Sequence, residues 1–229
     1  MARALKRTGK VSQTSRKKMR MYEGKTVARI AKKVLMKNSE TKSTWLHVNE
    51  QLLSTLTGYL AYDPLVVDEG SGKEEWVGTE IMPTGLLIRG VVINNGTSPN
   101  FVRILVVKSK TRQNVPAGDW FAAATGVGQD ISAVNGLDRM YWPIHKNVHT
   151  VLYDRVICLE KSGEVGKSKA FNKFIKLKGK LKYDGGGTGS EQLTPRYHIV
   201  YLSAESEDDT SLGQNVEFSA LHRFFYKDF

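Results

Sequence analysis

The strongest constraint on this chain is a pair of β-branched runs separated by a reversal. Gly85-Leu-Leu-Ile-Arg-Gly-Val-Val-Ile93 and Phe101-Val-Arg-Ile-Leu-Val-Val-Lys108 flank Asn94-Asn-Gly-Thr-Ser-Pro99. Branched side chains crowd the preceding turn of a helix but pack well on a pleated surface. The Asn, Gly and Pro between the runs are turn chemistry, so the two are expected to be neighbouring antiparallel strands. Val151–Leu159, Tyr197–Ser203 and Val216–Tyr226 read the same way, with a first strand near Trp45–Leu53. Lys173–Tyr183 alternates most cleanly. Ile175, Leu177, Leu181 and Tyr183 share one face, and Lys176, Lys178, Lys180 and Lys182 share the other. An eighth strand is expected between Asp119 and Ile144, and the Gly- and Ala-rich stretch over 109–140 has room for a helical turn or a long loop. The body shows no helical period. The expected fold is all-β, a single eight-stranded jelly-roll β-sandwich over 43–229.

Charge sets the first 42 residues apart. They hold 14 Lys and Arg against Glu23 and Glu40, a net of +12. The rest holds 20 basic and 21 acidic side chains, a net of −1. A near-neutral body that carries a strongly basic arm points to a polyanionic partner, most often nucleic acid. Residues 1–22 lack the apolar content that offsets the entropy of ordering and are expected to be disordered when free. Over 25–37, Val27, Ile30, Ala31, Val34 and Leu35 recur at the spacing of one helix face. Lys25, Arg29, Lys32, Lys33 and Lys37 lie elsewhere around the same helix. Together with Arg3, Lys6, Arg7, Lys10, Arg16, Lys17, Lys18 and Arg20 they are the candidate nucleic-acid-binding residues. Arg16-Lys-Lys-Met-Arg20 also has the composition of a nuclear localisation signal. The start lacks the apolar stretch of a secretory signal, and no run approaches the roughly 18 apolar residues of a spanning helix, so membrane insertion is not expected.

Motifs for chemistry are fragments. Gly163-Glu-Val-Gly-Lys-Ser168 resembles the end of a phosphate-binding loop, but the first glycine of that pattern is replaced by Lys161 and a strand follows where a helix is required. His145 and His149 are four apart without the Glu of a zincin, and Pro143 argues against a helix there. Cys158, the single cysteine, sits in an apolar run and reads as a buried, inert thiol. Glu205-Ser-Glu-Asp-Asp209 reads as a solvated loop, since the calcium-loop pattern is absent. No catalytic constellation, metal site or cofactor site is expected. The lysine face at 176–182 fits either an exposed edge or a phosphate track that extends the arm.

Arm, amphipathic helix and strand-rich body together resemble the small capsid proteins of circular single-stranded DNA viruses and of satellite tobacco necrosis virus. Gly78-Thr-Glu-Ile81 followed by Leu86-Leu-Ile-Arg-Gly90 is similar to the family's paired C-strand motif, and Phe101–Lys108 to its next strand. Val151-Leu-Tyr-Asp-Arg-Val-Ile157, Phe171-Asn-Lys-Phe-Ile-Lys-Leu-Lys178 and Tyr183-Asp184 resemble the later strands and their intervening turn. The chain lacks the arm Cys/His pairs of geminivirus coat proteins, and its arm mixes Lys with Arg where circovirus arms are dominated by Arg. The resemblance implies a jelly-roll virion protein that assembles as roughly sixty copies in a T=1 icosahedral shell. It implies an inward arm that packages single-stranded nucleic acid, DNA ahead of RNA, with assembly in the host nucleus. With 14 cations per arm, sixty arms would carry roughly 840 positive charges, comparable to a kilobase-sized single strand. The competing reading is a cellular nucleic-acid-binding protein with a β-sandwich body and basic tail.

Overall fold

A computed structural model describes residues 24–31, 34, 39–53, 59–62, 80–110, 119–123, 128–129, 134, 136–183, 192–194, 196–205 and 216–228. The chain divides into two units, Met1–Glu40 and Thr41–Phe229. In the first, a helix (α1) covers 24–31.

The second unit is built from strands β1 (Lys42–Leu53), β2 (Tyr59–Tyr62), β3 (Glu80–Asn94), β4 (Asn100–Ser109), β5 (Phe121–Ala122) and β6 (Gly128–Gln129). A single helical turn, α2 (Asp138–Tyr141), precedes β7 (His149–Leu159), β8 (Ser168–Lys176), β9 (Leu181–Tyr183), β10 (Gln192–Thr194), β11 (Tyr197–Glu205) and β12 (Val216–Asp228). Eight of these strands form two antiparallel layers, in the orders β1-β12-β3-β8 and β2-β11-β4-β7. The chain crosses between layers at each step of β1-β2-β3-β4, again from β7 to β8, and at each step of β10-β11-β12. That winding is a jelly roll.

Both layers bury the alternate residues that face each other. Leu86, Ile88, Val92, Phe218 and Phe224 from one sheet meet Ile104, Val106, Ile199 and Tyr201 from the other. Tyr201 stacks on Phe218 with ring centroids 4.4 Å apart, and its hydroxyl lies 2.7 Å from His222 Nε2. A second core lies behind the β2-β11-β4-β7 sheet. There Trp120, Phe121, Val134, Met140 and Ile144 cover Leu105, Val107, Val200 and Leu202. Both faces of β11 are therefore buried, all nine residues of it. Arg103 fastens the covering segment. It forms a two-bonded fork with Asp154 (2.9 and 2.7 Å) and donates from Nη1 to the carbonyls of Arg139 (2.7 Å) and Trp142 (2.8 Å).

Several expectations are corrected. β3 and β4 do not pair, because the Asn94–Pro99 link carries the chain from one sheet to the other. Turn chemistry specifies a reversal, not the sheet in which the next strand lands. Asn94 secures this crossing: its Oδ1 accepts from Gly96 N (2.8 Å), and its Nδ2 donates to the carbonyls of Ser98 (2.7 Å) and Glu160 (2.9 Å). Ile81 and Leu86–Gly90 lie on one continuous strand, not on a pair. The eighth strand is β2, not a strand between Asp119 and Ile144, where the described residues hold only the two-residue strands β5 and β6 and the turn α2. Lys173–Tyr183 is broken: β8 stops at Lys176, and Gly179, at φ 107°, turns the chain into β9. Cys158 is exposed, because its neighbours Ile157 and Leu159 take the inward positions of β7. Glu205 is not in a solvated loop but is buried at the end of β11; residues 206–209 lie outside the described residues.

Candidate nucleic-acid interface

In the arm, the structure describes Lys25 and Arg29, both exposed and one helical turn apart on α1. Arg3, Lys6, Arg7, Lys10, Arg16, Lys17, Lys18, Arg20, Lys32, Lys33 and Lys37 lie outside the described residues. The apolar stripe of the arm is uncovered: Val27 is 65%, Ile30 55% and Val34 51% exposed. A short helix with bare apolar and cationic sides has little to hold it in water and suits a partner that supplies both apolar cover and negative charge.

In the body, the lysine row at 176–182 divides in two. Lys180 and Lys182 both pair with the Glu80 carboxylate, the second at 3.2 Å. Their hydrogen bonds hold Glu80 below the usual carboxylate range. Lys176 and Lys178 instead line an open cleft of about 610 Å³ shared with Lys108, Lys110, Thr150 and Tyr197. Among the described residues no carboxylate lines it. Lys108 stands over the Tyr197 ring, 5.7 Å from its centroid, and Lys110 donates to the Lys146 carbonyl. Four ammonium groups around one concavity repel each other in the empty state, and an anion relieves that repulsion. Sequence alternation identified the Lys176–Lys182 row, but Lys108 and Lys110 join it only through the stacking of the sheets.

The glycine-rich fragment at Gly163–Ser168 is a turn between β7 and β8, with Gly163 and Gly166 at φ 91° and 101°. His145 and His149 are not side by side on a helix. Residues 146–148 form a turn, and His149 begins β7 stacked on Trp120 at 4.7 Å, with His198 edge-on to the same indole. Burial holds His149 and His198 down to about 4. Among the described residues no group of three or more His, Cys, Asp or Glu side chains is placed to hold a metal ion.

No family model and no curated protein matches the chain by sequence. Solved structures similar in shape include the following two. One, of Desmodium yellow mottle tymovirus, is 10% identical over 83% of this chain and 88% of that chain, with a TM-score of 0.36. The other, of the T13 viral particle of IBDV, is 9% identical over 83% of this chain, with a TM-score of 0.29. The match covers 32% of that second chain. Similarity at this level leaves the functional reading to the chain's own residues.

Proposed function

We propose that this chain is a structural capsid protein. Its jelly-roll body self-associates into a small closed shell, and its basic arm packages single-stranded nucleic acid. The observation that carries this reading is the segregation of charge: a net of +12 in residues 1–42 precedes an all-β body of net −1. A near-neutral body meets little electrostatic barrier to self-association, and an arm rich in Lys and Arg supplies affinity for phosphates without reading sequence. Arg3, Lys6, Arg7, Lys10, Arg16, Lys17, Lys18, Arg20, Lys25, Arg29, Lys32, Lys33 and Lys37 are the proposed phosphate-binding residues. Roughly sixty copies in closed symmetry is the simplest shell for one repeated subunit. A nuclear stage of assembly follows from the Arg16–Arg20 cluster. A reporter fused to residues 1–37 would then accumulate in nuclei.

The test is particle size with and without single-stranded DNA. Uniform small spheres in electron micrographs support the shell, and monomers under every condition refute it. Deleting residues 1–22 should lower the salt slope of binding by about 0.7 per phosphate no longer neutralised. An unchanged slope refutes the role of the arm. The cellular nucleic-acid-binding alternative gains from one observation, exposed Trp45 and Phe174 on a sheet that also presents arginines. It predicts binding by a stable monomer.

A further inference from the structure

The two sheets differ in what lies on their outer faces. The β2-β11-β4-β7 sheet is covered by Trp120, Phe121, Val134, Met140 and Ile144. The outer face of β1-β12-β3-β8 carries aromatic residues in the open instead. Strand register assembles it from four distant segments. One row across the sheet reads Trp45, Arg223, Leu87, Phe174. The row on one side reads Ser43, Phe225, Gly85, Lys176, and that on the other His47, Leu221, Arg89, Asn172.

Trp45 is 56% and Phe174 55% exposed. The Phe174 ring lies across Gly85, where a Cβ would come within 2.2 Å of its Cζ, and 6.0 Å from the Phe225 ring. Arg223 holds its guanidinium 5.1 Å from the Phe225 centroid while it donates to Ser43 Oγ from Nε (3.2 Å) and Nη2 (3.0 Å). Beside this row a concavity of about 370 Å³ is lined by His47, Arg89, Asn172 and Leu221. Arg89, Arg223 and Lys176 are exposed. Among the described residues, Glu80 at the start of β3 is taken up by Lys180 and Lys182, and the other carboxylates at outward positions of these strands are Glu50 and Glu217. Both lie toward the opposite end of the sheet, where Asn95 Nδ2 donates to Glu217 at 3.2 Å.

We infer that this aromatic and basic end of the β1-β12-β3-β8 face binds single-stranded nucleic acid by base stacking, as a second binding surface beyond the arm. The inference rests on the nucleic-acid reading above and adds a stacking site on the body. Unpaired bases present flat apolar faces that stack on Trp and Phe, and their phosphates suit Arg89, Arg223 and Lys176. Asn172, His47 and Arg89 give base edges hydrogen-bonding partners. A second copy of the same face fits worse: it would set these cations against their own kind, and the one carboxylate described at this end, Glu80, is already engaged by Lys180 and Lys182. Duplex is also disfavoured, since pairing hides the base faces.

The full chain is titrated with an oligothymidylate at low and at high salt, following tryptophan fluorescence and anisotropy. Stacking on Trp45 quenches its emission. In Trp45→Phe the ring still stacks, so affinity should hold while the quench shrinks. Replacing both Trp45 and Phe174 by Ala should weaken high-salt binding by at least about tenfold, given roughly 5- to 150-fold per stacked base, and leave the salt slope unchanged. Replacing Arg89 and Arg223 by Gln should instead lower the slope by about 0.7 for each phosphate left without its cation. Unchanged affinity of the double-Ala variant, or a quench that persists in Trp45→Phe, overturns the inference while the arm reading stands. A double-Ala variant that binds like wild type but no longer forms particles also overturns it and makes the face a subunit interface. No oligonucleotide binding by the full chain at low salt rejects the nucleic-acid reading itself. If the double-Ala variant fails to fold, the Trp45→Phe quench decides.

Discussion

His222 gives the sharpest quantitative test of the core. It lies on the inward face of β12, 1% exposed, stacked at 5.8 Å on Tyr201 and edge-on to Tyr62 at 5.5 Å. Its Nε2 is 2.7 Å from the Tyr201 hydroxyl, while Nδ1 has no hydrogen-bond partner among the described residues. An imidazolium would carry an N–H on both nitrogens with an acceptor for only one, among aromatic rings and away from water. Burial accordingly holds His222 down to about 4 from 6.5. Between those values the unfolded chain takes up a proton that the folded chain refuses, so stability is full above about pH 6.5 and falls as pH drops toward about 4. The loss is RT ln[(1 + 10^(6.5 − pH))/(1 + 10^(4 − pH))], which gives about 2 kcal/mol at about pH 5 and about 3 kcal/mol at about pH 4. His222→Gln remains neutral and can still meet the Tyr201 hydroxyl. Urea denaturation of unassembled protein at about pH 7.5 and about pH 5 reads both chains. The substitution costs stability at both pH values, but the drop from high to low pH should be smaller in the variant by about 2 kcal/mol. His149 and His198 act in the same direction in both chains and cancel from that difference. An identical pH dependence in variant and wild type would refute the reasoning, whatever the absolute stabilities.

Asp154→Ala leaves the Arg103 guanidinium buried without its carboxylate and should cost about 3 kcal/mol; the partial exposure of Asp154 keeps this at the low end of the range. In the Arg103→Met, Asp154→Leu pair, urea midpoints should recover much of that loss. Gly90→Ala would bring a Cβ to 2.3 Å from the Ser219 carbonyl oxygen and 2.9 Å from Ala220 Cα, both backbone atoms of the paired β12, so about 1–3 kcal/mol should be lost in thermal unfolding. In the arm, Ile30→Asp with Val34→Asp should reduce particle yield more than Lys32→Gln with Lys33→Gln. The first pair removes the apolar stripe and adds repulsion toward phosphate, whereas the second removes two of many cations. Equal yields in sedimentation profiles would reject a role for the apolar stripe.

Features set at short range were legible in the sequence. Alternation along β8, the apolar runs of β3, β4, β11 and β12, and the helical spacing of Val27, Ile30 and Val34 are local, because a side chain's face follows from its neighbours' backbone geometry. Charge segregation is likewise readable from residue types alone. Long-range pairing settled which sheet each strand joined. The Asn94–Pro99 turn looks the same whether its strands pair or cross between layers, and four-residue β2 is a strand because β11 offers it an edge. Gly179 breaks the lysine row where its alternation looked unbroken, and Glu80, a hundred residues from Lys180, selects which lysines are neutralised. The body's candidate binding face was equally hidden. Trp45, Arg223, Leu87 and Phe174 come from four separate strands, and only interstrand register, a property of long-range hydrogen bonding, sets them in one row.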